Sequence, residues 1–208
     1  IAIAGSHGKT TTTAMIAWML SAMNQDPSFI IGGVATDLGC NARLGQGNCF
    51  VIEADEYDRM FLGLHPKIAV VTNVEHDHPD CYPTAEDFYQ AFLAFTRGIQ
   101  PGGVLLVCAD DPGAARLAEE AAREGLLVLR YGLEAADCEY WAPARDARPE
   151  GFAVLTEYLD DDLTELALQV PGWHNALNAL AALAVAHQCG LDVHAASKAL
   201  GQFHGAGR

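Results

Sequence analysis

The chain has 208 residues, 50% of them apolar and 19% charged, enough for a sizeable core and incompatible with intrinsic disorder. Acidic residues number 27 against 12 Lys and Arg, and the resulting charge of −15 disfavours nucleic acid as a partner. No apolar run reaches the roughly 18 residues of a membrane span, no secretory leader is visible, and the six scattered cysteines form no CxxC pair. A cytoplasmic location with free thiols is expected, without a disulfide framework, a zinc–thiolate site or a membrane partner. The first residue is not Met and the chain opens in strand-like sequence, so a piece of a longer protein is expected.

In chain order, residues 1–5 read as a short strand ending in glycine. Residues 8–23 read as a helix, with Met15, Ile16, Met19, Leu20 and Met23 at three- and four-residue steps. Apolar runs at 29–31, 50–52 and 68–72 predict buried strands. Residues 84–99 predict a helix capped by Thr84, with Glu86 and Asp87 in its first turn. A strand at 104–108, a helix at 112–124 and a strand at 126–131 follow. This alternation predicts an α/β fold with a mostly parallel sheet and helices on both faces. Residues 132–150 show no clear period. Alternating segments at 152–159 and 163–170, separated by Asp160-Asp161-Asp162, predict a hairpin and so a small antiparallel patch. Helices at 176–188 and 193–200 end the pattern, with Gly190 in a C-cap position. The terminal Gly205-Ala206-Gly207-Arg208 reads as a hinge.

Gly5-Ser6-His7-Gly8-Lys9-Thr10-Thr11 follows a strand and opens a helix. Glycines let backbone N–H groups turn towards an anion, and the helix N-terminus adds its dipole. Lys9 suits outer phosphates, and the hydroxyls of Thr10 and Thr11 suit a phosphate oxygen or Mg²⁺. Ile3 stands where the usual P-loop has its first glycine, so this is a shortened variant. The β-branched run Thr10 to Thr13 is a poor helix start on propensity alone, which favours a functional reading.

Two further strands end in acids or histidines. Glu53-Ala54-Asp55-Glu56 follows the strand at 50–52, and Glu75-His76-Asp77-His78 follows the one at 68–72. Ligands of parallel sheets bind beyond the carboxyl ends of strands, so Glu53 is expected near the phosphate loop, where carboxylate oxygens suit Mg²⁺. His76 and His78 are too close for a helical zinc pair. Asn175 and Asn178, three residues apart, share a helix face; carboxamides suit an adenine edge, with Trp173 or His174 to stack on a ring.

Together these motifs, with Thr72-Asn73-Val74-Glu75-His76-Asp77-His78 and His174-Asn175-Ala176-Leu177-Asn178, resemble the central ATP-binding domain of the Mur ligase family. The Glu-Ala-Asp-Glu run, and Gly32-Gly33 before Ala42-Arg43-Leu44-Gly45, are most similar to the branch that adds L-alanine to UDP-N-acetylmuramate. The branch that reattaches murein tripeptide shares much of the pattern. The resemblance implies ATP-dependent amide formation through an acyl phosphate in peptidoglycan synthesis, with ATP, UDP-N-acetylmuramate and an amino acid as substrates. It implies one central domain over 1–208, with flanking UDP-binding and C-terminal domains absent, and hence no ligation by this chain alone. It assigns phosphate to Gly5, Ser6, His7, Gly8, Lys9, Thr10, Thr11 and Arg208, and metal (Mg²⁺, or Mn²⁺) to Thr10, Glu53 and His78. Lys9, Glu53 and His78 become the catalytic set, and His174, Asn175 and Asn178 the adenine contacts. Asp55, Glu56 and Arg43 are candidates for the sugar-peptide end. No lysine lies between Lys67 and Lys198 to be carbamylated, so Glu86 or Asp87 is the expected substitute. Trp173 and Tyr57 depart from the family's usual Arg and Ser. A phosphotransferase or NTPase acting on a partner would account for the phosphate loop but not for His78, Asn175 and Asn178; a regulatory nucleotide-binding module is the third reading, which lack of catalysis in the intact parent protein would favour.

Overall fold

The computed structural model describes residues 1–135, 137–142, 147–148, 151–158 and 161–207, with the backbone alone at 147–148, 151–155 and 161–162. The strands are β1 (Ala2–Ala4), β2 (Ser28–Ala35), β3 (Cys40–Arg43), β4 (Phe50–Glu53), β5 (Ile68–Val71), β6 (Val104–Cys108), β7 (Leu127–Gly132), β8 (Tyr140–Trp141), β9 (Ala147–Arg148), β10 (Gly151–Tyr158), β11 (Asp161–Leu168) and β12 (Ala206–Gly207). The helices are α1 (Lys9–Ala22), α2 (Ala85–Arg97), α3 (Pro112–Arg123), α4 (Trp173–Gln188) and α5 (Val193–Leu200). They form one mixed sheet in the order β11-β10-β8-β7-β6-β5-β1-β4-β2-β12, with β3 beside β2 and β9 beside β10.

The run β2-β4-β1-β5-β6-β7-β8 is parallel throughout. Its central strands bury both faces, which is why they read as unbroken apolar runs. Ile3, Val51, Val70 and Leu106 face one core with α1, α4 and α5. Their chain neighbours, among them Ala4, Val71 and Val107, face a second core with α2 and α3. Met15, Ile16, Met19 and Leu20 of α1 are fully buried, each contributing about 1.5–3 kcal/mol.

Local signals explain the helix starts. Thr84 and Asp87 form a capping box on α2, and Asp111 caps α3, whose first residue is Pro112. Gly190, with φ of 68°, follows the last turn of α4 as expected.

Several features differ from the sequence reading: β8 and β9 lie in the stretch 132–150 that showed no clear period, and Ala206–Gly207, read as part of a hinge, pairs antiparallel with β2 as β12. Strand β2 runs on through Gly32 and Gly33 and pairs with β3, which has no apolar run to announce it. Residues Tyr57–Gly63 form a 3₁₀ segment broken by left-handed Asp58 and Arg59. The hairpin is present, but Asp161 and Asp162 belong to β11 rather than to the turn; a register shift after Thr156 accommodates them.

The chain leaves β1 through α1 to one side of the sheet and later returns to β5 on the other side of β1. The carboxyl end of β1 is therefore the point where strand order reverses, where α/β sheets open a crevice.

Candidate functional site

Residues 5–8 leave β1 in a loop that only glycine permits at its ends. Gly5 has φ of 139° and Gly8 of 82°. A Cβ at Gly5 would lie 2.0 Å from Thr72 Oγ1. The loop is clipped to the segment after β5. Ser6 Oγ donates to the Glu75 carbonyl at 2.6 Å and accepts from the Glu75 N–H at 2.9 Å. Thr72 Oγ1 donates to the His7 carbonyl at 2.6 Å, and Asn73 Oδ1 accepts from the His7 N–H at 2.8 Å. Helix α1 then begins at Lys9 with no side-chain cap, leaving its first N–H groups to a ligand or solvent. Thr13 donates to the Lys9 carbonyl at 2.8 Å, which accommodates one of the four threonines in the helix.

Side chains from three strand ends converge here. Lys9 Nζ donates to the Gly5 carbonyl at 2.7 Å and to Glu56 Oε1 at 2.8 Å. Thr10 Oγ1 donates to Glu53 Oε1 at 3.1 Å, and Glu53 Oε2 accepts from the Gly32 N–H at 2.7 Å. His78, itself left-handed at φ 54°, places Nε2 3.5 Å from Glu56 Oε1 and 3.8 Å from Asp77 Oδ2. A pocket of about 150 Å³ is lined by Ser6 to Thr11 with Glu53 and Ala206.

The expected metal set is thus divided into two neighbouring pairs, Thr10 with Glu53 and His78 with Glu56. Among the described residues no three His, Cys, Asp or Glu side chains group as a metal site. The oxygen pair at Thr10 and Glu53, beside a helix N-terminus and a lysine, is nonetheless the donor chemistry that a phosphate-bound Mg²⁺ requires. Glu86 and Asp87 are engaged elsewhere. Glu86 accepts from Gln90 and Arg116, which hold its carboxyl below the usual range, and Asp87 closes the α2 capping box.

The His-Asn element is split as well. Asn178 is buried, and its Oδ1 lies 3.0 Å from where a Gly8 Cβ would stand, so this carboxamide packs beside the end of the loop. Asn175 instead donates to the Pro171 carbonyl at 2.7 Å, and the His174 ring folds back over Gly172. Arg43 bonds Asp26 and Ser21, and Asp55 accepts from the Tyr57 N–H. Tyr57 donates to Asp80 at 2.9 Å, a bond that pushes its phenol up to about 12, and its ring meets the His78 ring edge-on. Arg208 lies outside the described residues. Gly32, Thr72 and Asn73 stood within the family-like motifs of the sequence but without a role of their own; the last two sit at a strand's carboxyl end, beside the phosphate loop that they clip.

The model of the Mur ligase middle domain matches residues 3–186. The UDP-N-acetylmuramate–L-alanine ligase of Renibacterium salmoninarum is 50% identical across 100% of this chain and 44% of its own length. The Saccharopolyspora erythraea protein of the same name is 45% identical over 99% of this chain and 42% of its own. Among solved structures, the UDP-N-acetylmuramate-alanine ligase of Thermotoga maritima superposes with a TM-score of 0.85 at 29% identity, over 100% of this chain and 45% of that one. A UDP-N-acetylmuramate:L-alanyl-γ-D-glutamyl-meso-diaminopimelate ligase from Neisseria meningitides also gives 0.85, at 30% identity, over 100% of this chain and 67% of that one. The chain spans less than half the length of the curated relatives it matches. With the family model covering nearly all of the parallel sheet and its crevice, the chain belongs to the Mur ligase family through its middle domain.

Proposed function

We propose that this chain is the ATP-binding middle domain of a ligase that joins L-alanine to UDP-N-acetylmuramate in peptidoglycan synthesis. The observation that carries the reading is the loop itself: an uncapped helix start, two left-handed glycines and Lys9 at its mouth, with Thr10 and Glu53 3.1 Å apart beside it. Lys9 and the N–H groups at the start of α1 bind and orient the outer phosphates, and Lys9 neutralises charge that builds during phosphoryl transfer to a carboxylate. Thr10 and Glu53 would hold Mg²⁺, with His78 a candidate ligand nearby; the ion would supply neutralisation of phosphate charge. Asn178 packs beside Gly8, where only a glycine leaves it room. The shared name of the curated relatives, at 42–50% identity, supports L-alanine over a tripeptide as the group added. UDP recognition and final closure over the amino acid belong to flanking domains, so this chain alone forms no amide.

Calorimetric titration of Mg·ATP into the chain, with GTP as competitor and Lys9→Ala as control, tests the reading. Binding that prefers ATP and falls at least about tenfold in Lys9→Ala is expected, since a hydrogen bond to a charged group contributes on the order of 1.5–3 kcal/mol. Equal binding by both proteins would sink it.

A further inference from the structure

Glu56 is fully buried, yet it is a carboxylate, and no step above uses it. A buried charge survives only when paired, and removing one partner of such a pair is strongly destabilising. Oε1 of Glu56 carries both partners, Lys9 at 2.8 Å and His78 at 3.5 Å, while Oε2 has none among the described residues. The backbone fixes this carboxylate firmly. The Glu56 carbonyl accepts from the Tyr82 hydroxyl and from the Arg59 N–H, and the left-handed residues Asp58 and Arg59 turn the chain immediately afterwards.

Lysine's ammonium has three donors on a flexible four-carbon stem. In Lys9 one donor meets the Gly5 carbonyl and one meets Glu56, which leaves one for an incoming phosphate oxygen. We propose that Glu56 is the positioning residue of the cradle: it tethers Lys9 at the loop mouth, so that nucleotide phosphates meet an ammonium already in place. The proposal rests on the nucleotide-binding reading for its purpose, but the tether itself is testable without nucleotide.

The chain's three lysines, Lys9, Lys67 and Lys198, allow an internal control. Acetylation by a small anhydride, read by mass spectrometry, should label Lys9 far more slowly than exposed Lys198. Glu56→Ala should speed Lys9 labelling roughly tenfold while Lys67 and Lys198 keep their rates, and Glu56→Gln, which retains the acceptor oxygen, should restore most of the protection. If Glu56→Ala fails to fold, Glu56→Asp, shorter by one methylene, must show the same acceleration. For Mg·ATP binding, Glu56→Ala should weaken affinity about tenfold in the wild-type background and not at all in Lys9→Ala, the signature of action through Lys9. Unchanged Lys9 labelling in Glu56→Ala, or equal weakening in both backgrounds, overturns the proposal. Slow, Glu56-dependent labelling in a chain that binds no nucleotide would uphold the tether and overturn the nucleotide reading instead.

Discussion

Glu53 commits both carboxylate oxygens within the protein, one to the Thr10 hydroxyl and one to the Gly32 N–H. Gly32 lies in extended strand backbone, so its importance is one of space: a Cβ there would stand 2.7 Å from each Glu53 oxygen. Gly32→Ala should push the carboxylate off Thr10 and disturb the oxygen pair proposed for Mg²⁺. The expected result is a tenfold or larger loss of Mn²⁺ or Mg²⁺ dependence in nucleotide binding, with unfolding free energy changed by less than about 1 kcal/mol, since this face of β2 is exposed. Metal titration in the presence of ATP, alongside urea unfolding, checks both halves. Gly8→Ala differs in kind. It forces a left-handed φ of 82° on a residue with a side chain and crowds Asn178, so it should weaken nucleotide binding and stability together.

At the level of elements, one side chain ties a helix start to the loop that carries His78. Asp111 Oδ1 accepts from the Ala114 N–H at 2.7 Å, capping α3, and from the Val74 N–H at 2.9 Å. Loss of a cap costs about 1 kcal/mol, and a second orphaned amide adds about 1–3 kcal/mol. Asp111→Ala should therefore cost about 2–4 kcal/mol in urea unfolding, while Thr84→Ala, which removes only a cap, should stay near 1 kcal/mol. The elements that were legible share a physical reason. The central strands are buried on both faces and α2 is amphipathic with its own capping box, so period and cap signals agreed. Strand β2 beyond Ile31 was hidden because Gly32 and Gly33 are poor strand formers, kept where Glu53 and Gly207 approach too closely for a Cβ. The cradle was legible because glycine, lysine and threonine at that spacing follow from the chemistry of phosphate. The burial of Glu56 was not: an acid in an acidic run reads as solvated until the fold brings Lys9 and His78 to it. Asn175 and Asn178 share a helix face in sequence, but only Asn178 meets the loop, because Asn175 turns back to Pro171.

For the whole molecule, burial in and beside the core under α1, α4 and α5 keeps ionisable groups in their neutral forms. Burial pushes the Cys108 and Cys138 thiols up to about 12 and Cys189 to about 11. It likewise raises the Tyr140 phenol to about 12, and it pushes Tyr131, fully enclosed, well above the ordinary phenol value. In the unfolded chain these groups ionise near their ordinary values of 9 for a thiol and 10 for a phenol. A folded pKa above the unfolded one gives stability that is complete below the unfolded value and is lost as pH rises through the folded one. The melting temperature should therefore hold between pH 7 and 8.5, then fall steeply from pH 9 to 12. The net charge of −15 offers a competing cause, since self-repulsion among surface carboxylates also opposes compactness. The two separate by salt. Surface repulsion is screened over roughly 8–10 Å at 0.1–0.15 M ionic strength, whereas the penalty for ionising a buried thiol is not. Thermal melts at 0.05 M and 0.5 M salt should differ at neutral pH yet show the same alkaline fall, and Cys108→Val should make that fall shallower. A melting temperature flat to pH 11, or an alkaline fall abolished by salt, would place the weakness on the surface instead of in the cores.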